Sequence, residues 1–172
     1  LGENKSPDVL LRGAQIVLRE HPDIRFRFAG DGDAGAYATL AAELGISASC
    51  EFLGWVSGEE RELLFEKSSI FCLPSKAEGM PMSVLEAMAH GLATIATPVG
   101  GIPEVIDDGV NGLIMPVGDH VRLAELVRRL VENPGQAERI ALRGRETVAE
   151  HFNSVSCVED LERLYGSLLD GV

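Results

Sequence analysis

The sequence predicts an α/β domain built on a doubly wound parallel sheet. Short apolar runs, of the kind that suit strands, recur at residues 24–29, 50–53, 70–73, 92–96 and 113–115. Segments with helical spacing and their own start and stop residues lie between them. Strands alternating with helices imply parallel crossovers. The stretch IFCLPSKAEGMPMSVLEAMAHGLATIATPVGG, residues 70–101, shows the whole unit: strand, loop, helix, strand, loop.

The elements follow in order. Ser6 is placed as the cap and Pro7 as the first residue of the first helix. Val9, Leu10, Gly13, Ile16 and Val17 recur at helical spacing until His21-Pro22 ends the run. Residues 24–29, IRFRFA, alternate apolar and basic side chains as a strand. A loop at 30–35 leads to a helix at 37–44, stopped by Gly45. Strand 50–53 is followed by Gly54, Trp55 and Val56. Ser57 caps a helix through Phe65, with Glu59 and Glu60 in its first turn. Strand 70–73 ends at Pro74. Pro81 opens the next helix, Val84, Leu85 and Met88 form its apolar face, and Gly91 stops it. Strand 92–96, a short helix at 103–106, the turn DDGVNG and strand 113–115 come next. Asp119 caps a helix through Glu132, which Asn133-Pro134 breaks. Helices at 136–152 and 154–169 finish the chain.

Composition narrows the function. A chain of 172 residues suits one domain with a full core. Its net charge of −12 argues against a nucleic-acid partner and against holding an anionic membrane surface. No apolar run approaches the ~18 residues that span a membrane, and no secretory signal is visible at Leu1. Cys50, Cys72 and Cys157 show no metal spacing and read as reduced thiols in a cytoplasmic protein. Lys5 and Lys76 fall in loops expected at the carboxyl ends of strands, a hint of a local anion site in an acidic chain.

The loop before Pro81 lies where ligands bind open α/β sheets, beyond the carboxyl end of a strand. Met80, at the expected cap position, cannot accept a hydrogen bond from the helix amides. Those amides are open to an anion such as phosphate, or to water and Ser83. Gly79 lets the backbone approach a ligand. Glu78 and Glu86 flank the helix start; acceptor-only carboxylates repel phosphate but suit sugar hydroxyls. As an isolated pair they read equally as solvated surface charges.

The segment AEGMPMSVLEAMAHG, followed by TPVGGIPEVIDDGVNGLI, resembles the signature of family 4 of the retaining glycosyltransferases. The paired glutamates and the Gly-Gly-x-Pro-Glu turn are its most specific features. Family 4 enzymes have the GT-B fold of two Rossmann-like domains, and the resemblance covers nearly the whole chain but only the family's C-terminal, donor-binding half. It implies transfer of a sugar from a nucleotide diphosphate sugar to a glycan, lipid or small-molecule acceptor, with retention of configuration and no metal or other cofactor. It implies that Glu86 holds the ribose, that Glu78 faces the donor sugar, and that Gly79, Met80 and Pro81 line the sugar by backbone. Ser83 and Val84 would offer helix amides to the diphosphate. Lys5 matches the lysine of an Arg-and-Lys diphosphate clamp whose arginine falls just before Leu1. The base belongs near Gly54, Trp55 and Val56. His90 is placed as a surface residue compensating the helix dipole.

The resemblance also sets the boundaries. Residues 1–172 are expected to be the donor domain. A strand just before LGENKS and the N-terminal acceptor domain, with the acceptor site, are expected to lie outside the chain. This half alone is then expected to be inactive. Association with the inner membrane surface would run through the other domain. The C-terminal helix resembles the one that crosses to that domain; its apolar face, Val158, Leu161, Leu164 and Leu168, would otherwise self-associate.

A second motif competes. Gly30-Asp31-Gly32-Asp33-Ala34-Gly35 matches G-x-G-x-x-G between a strand and a helix, with Glu51 about 20 residues on. That supports an NAD-binding oxidoreductase. Against it, Asp31 and Asp33 place negative charge where a pyrophosphate would sit, and Glu51 falls inside its strand. A non-catalytic nucleotide-sugar binding module is the third alternative.

Overall fold

The structure, a computed structural model, describes residues 2–169. A short turn at Glu3–Lys5 leads into helix α1, Pro7–Leu18. Then come β1 Phe26–Ala29, α2 Ala34–Glu43, β2 Cys50–Gly54, α3 Gly58–Glu66, β3 Ile70–Leu73, α4 Met82–Ala89, β4 Ala93–Ala96, α5 Ile102–Val105, β5 Leu113–Ile114, α6 His120–Glu132, α7 Pro134–His151 and α8 Ser154–Leu169. The alternation of strand and helix is the expected one.

Every described pairing between named strands is parallel, three ladders in a two-stranded and a three-stranded sheet. β1 pairs β2, with Phe28 opposite Phe52 and their rings stacked at 4.9 Å. β4 lies between β3 and β5, with Leu73 opposite Ala96 and Ile95 opposite Leu113. One core joins the sheets: Phe26 and Phe28 of the first, and Ala93, Ile95 and Leu113 of the second, meet Leu11, Ala14 and Val17 of α1 and Leu123, Leu126 and Leu130 of α6. Burying each large apolar side chain contributes about 1.5–3 kcal/mol. α1 and α6 approach closely at Gly13, where an added Cβ would lie 3.1 Å from the His120 carbonyl oxygen. A second cluster packs Val84, Leu85 and Met88 of α4 against Leu73, Ala96, Ile102 and Val105. Those α4 residues are the apolar face expected from their spacing.

Several ends differ from expectation. β1 begins at Phe26, because the Ile24 amide closes a turn onto the His21 carbonyl. α2 begins early, at Ala34, because the Asp33 carboxylate accepts from the Ala36 amide at 3.0 Å. α7 starts at Pro134 rather than Gln136, since proline is well suited to the first turn. Asp119 caps α6 as expected, accepting from the Arg122 amide. Ser6 and Ser57 hold the cap positions of α1 and α3, but neither side chain caps its helix. Ser6 sits in the left-handed region at φ 48°, and its buried hydroxyl has no hydrogen-bond partner. Val158, Leu161, Leu164 and Leu168 are exposed on α8.

Candidate active site

The site is built around Glu78, in the loop that leaves the carboxyl end of β3. Its side chain is only 7% exposed. Lys5 Nζ donates to Glu78 Oε1 at 2.6 Å and lies 2.8 Å from Oε2. The Ser75 hydroxyl donates to Oε1 at 2.6 Å. Ser75 is buried, and its carbonyl accepts from the Thr97 hydroxyl at 2.6 Å. The Lys76 amide donates to the Asn4 carbonyl at 2.7 Å, fastening the Lys5 turn to the same loop. The Lys5 turn and Ser75 thus bond one carboxylate, and Thr97 holds Ser75 from behind. Among the described residues, its ion-pair partner is Lys5.

The glycine pair after β4 closes over this loop. The Gly101 amide donates to the Gly79 carbonyl at 2.8 Å. Gly100 has φ 57°, and a Cβ there would lie 2.1 Å from the Glu78 carbonyl oxygen. Both the backbone conformation and the contact require glycine. At Gly101 a Cβ would lie 3.0 Å from Met80 Cε, so Met80 leans against the same turn.

α4 begins one residue later than expected. Pro81 itself occupies the cap position, because its ψ of 95° keeps it extended. Its carbonyl accepts from the Val84 amide at 2.9 Å and the Leu85 amide at 3.4 Å. The amides of Met82 and Ser83 precede this first helical bond, and no side chain caps the helix. The Val84 amide, assigned to the diphosphate by resemblance, is bonded within the protein here.

Glu86 belongs to a separate cluster. It pairs with Arg61 of α3 at 3.0 Å. The neighbouring Glu62 pairs with His90 at 3.1 Å, and His90 stacks on Phe65 at 4.8 Å. His90 is therefore engaged by α3. Gly54 closes β2 at φ 67°, its carbonyl accepting from the Gly30 amide at 2.7 Å. Trp55 is 69% exposed and Val56 is buried. No described hydrogen bond or ion pair links Gly54, Trp55 or Val56 to Lys5 or Glu78.

These arrangements bear on the competing motif. Asp33 fills the start of α2 with its own carboxylate, where a dinucleotide phosphate would sit. Glu51 pairs with Arg27 across the strands at 2.9 Å. Neither Cys50 nor Cys72 is a neutral-pH nucleophile: burial pushes Cys72 up to about 12 and Cys50 up to about 11. Glu20, His21 and Glu132 could gather a metal, but they lie where Arg128 pairs with Glu20 at 3.1 Å.

A family described as glycosyl transferases group 1 matches residues 1–147. The chain belongs to this family.

EpsD of Bacillus subtilis (strain 168) is 33% identical over 171 residues, 99% of this chain and 44% of the relative. The chain therefore spans less than half the length of that relative. The C-terminal domain of the group 1 family protein LpcC from Francisella tularensis superposes with a TM-score of 0.83 at 23% identity, over 90% of this chain and 83% of that one. HepE of Anabaena, solved in complex with UDP, superposes at 0.87 with 21% identity, over 97% of this chain and 46% of that one. The fold is that of the C-terminal domain of a GT-B glycosyltransferase. Within this glycosyltransferase domain, sequence reasoning missed Arg61, Ser75 and Thr97. Ser75, three residues before Glu78, was within local reach. Arg61 meets Glu86 only through the packing of α3 on α4, which no local pattern shows.

Proposed function

We propose that this chain is the donor-binding half of a retaining glycosyltransferase that moves a sugar from a nucleotide diphosphate sugar to a glycan, lipid or small-molecule acceptor held by another domain. The observation that carries this is the Lys5–Glu78–Ser75 cluster beside the uncapped start of α4. HepE, of the same fold, was solved with UDP and with UDP-glucose, which supports a nucleotide-sugar ligand here.

The chemistry follows from charge. Breaking the sugar–phosphate bond leaves negative charge on the diphosphate. Lys5 and the Met82 and Ser83 amides are cationic or dipolar groups that stabilise such charge if they are fixed beforehand. Lys5 carries three N–H donors, so it can serve Glu78 and a phosphate oxygen together. As the diphosphate draws on the ammonium, the Glu78 carboxylate gains capacity for sugar hydroxyls. Ser75 keeps it in place meanwhile. Glu86 accepts from the ribose, Gly79, Met80 and Pro81 line the sugar, and Gly54, Trp55 and Val56 lie toward the base. No step in this scheme needs a metal. The enzyme works on the cytoplasmic side, and any hold on the membrane surface comes from the acceptor domain.

The test uses the full-length protein. UDP, GDP and ADP are titrated by calorimetry, and the tightest is compared with its nucleoside. Lys5→Ala should weaken the diphosphate about ten- to a hundredfold, the scale of one charge-assisted hydrogen bond, and leave the nucleoside unchanged. Equal weakening of both, or no binding of any nucleoside diphosphate, refutes the proposal.

A further inference from the structure

The assignment of Glu86 to the ribose leaves its partner unexplained. Arg61 Nη1 lies 3.0 Å from Glu86 Oε1, with the Arg61 side chain 42% and the Glu86 side chain 31% exposed. The guanidinium lies between two carboxylates, with Nη2 3.8 Å from Glu62 Oε1. Its Nε is buried without a hydrogen-bond partner. Beneath the pair, α3 and α4 also meet through Phe65 packed with Ala87 and through the Glu62–His90 pair. Arg61 and Glu86 therefore form a joint between the two helices.

The joint has a direction. α3 follows directly on the loop Gly54–Val56, and α4 carries Glu86 one turn past its start. Arg61 thus ties the element after the base loop to the carboxylate on the neighbouring helix. An ionised carboxylate has about four acceptor positions. One guanidinium nitrogen takes one of them and still leaves room for two vicinal hydroxyls.

We infer that Arg61 is a positioning residue that orients Glu86 toward the donor's ribose and so sets the preference for ribose over 2′-deoxyribose. This rests on the donor-binding role proposed above. Without Arg61 the Glu86 side chain regains its rotamers and must be ordered anew when hydroxyls bind. A partly exposed pair of this kind is worth up to about fivefold in affinity.

The test again uses the full-length protein, with the tightest-binding nucleoside diphosphate and its 2′-deoxy counterpart. Arg61→Ala should lower the ribo-to-deoxy affinity ratio about two- to fivefold, the deoxy ligand losing less because it offers Glu86 only its 3′ hydroxyl. Arg61→Lys should restore part of the ratio. In a Glu86→Gln background, Arg61→Ala should change nothing further. A structural role would weaken both ligands alike, and that result overturns the inference. A ratio unaffected by Arg61→Ala, while Glu86→Gln lowers it, overturns the inference alone. A ratio unaffected by Glu86→Gln refutes the ribose assignment itself, and the inference with it. Circular dichroism of each variant confirms that the fold is kept.

Discussion

Gly100→Ala isolates the contact that shapes the candidate site. Two costs add. Alanine at φ 57° pays the left-handed penalty, about 1–2 kcal/mol. Its Cβ would also lie 2.1 Å from the Glu78 carbonyl oxygen and 2.7 Å from the Gly79 carbonyl oxygen. Neither neighbour is the flexible end of a side chain, so the backbone of the Glu78 loop must move, and overpacking of this kind costs about 1–3 kcal/mol. Together the loss is about 2–5 kcal/mol. Gly91→Ala is the control. Gly91 has φ 74° with nothing within 4 Å of an added Cβ, so it should cost only the left-handed penalty. The assay is urea unfolding of both variants by circular dichroism, alongside diphosphate titration. Gly100→Ala should be the less stable by about 1–3 kcal/mol and should weaken the nucleotide sugar, because the displaced loop carries Glu78. Gly91→Ala should leave binding intact. Equal destabilisation by the two substitutions would refute the reasoning from the clash. Normal ligand binding by a folded Gly100→Ala protein would refute the coupling of the turn to Glu78.

Three further outcomes follow from the same geometry. Glu78→Gln should leave the bare nucleoside diphosphate nearly unchanged but remove much of the extra affinity given by the sugar, about 1–3 kcal/mol, in calorimetric titrations of both ligands. Ser6→Gly should stabilise the protein by about 1 kcal/mol by relieving the left-handed backbone, whereas Ser6→Ala keeps that conformation and should fall short of it in urea unfolding. The Cys72 thiol, held near 12, should resist iodoacetamide at pH 8, where its thiolate is on the order of one part in ten thousand. Because its folded value is raised, its contribution is intact below pH 9 and is lost as pH rises from there towards about 12. Alkaline unfolding should therefore begin later in Cys72→Ala.

Much of the fold was legible because its signals are local. Ile70–Leu73 is an apolar run bounded by a proline, and it forms the strand expected. Asp119 announces α6 by a side chain that reaches its own helix amides. Ser6 and Ser57 present the same chemistry, yet their hydroxyls do not cap; at Ser6 the backbone is left-handed where a cap is normally extended. The candidate site divides along the same line. Glu78, Gly79, Lys5 and Glu86 stood out through motif resemblance. The bond from Lys5 to Glu78 spans 73 positions, and the pair from Arg61 to Glu86 crosses two helices, so neither leaves a periodic trace. The sequence showed which groups were present; their pairing is a property of the packed chain.

Asp33 has a consequence beyond its helix. The turn Gly30–Asp33 has the glycines of a phosphate cradle, with Gly30 and Gly32 both at positive φ. Yet its anion is already supplied by the protein, covalently attached and at fixed local concentration. A diffusing phosphate would have to displace a tethered carboxylate and then tolerate its charge. The turn is thereby excluded as a competitor without being reshaped or filled with bulk. One tethered carboxylate thus keeps this strand end from offering its first helix amides to another anion.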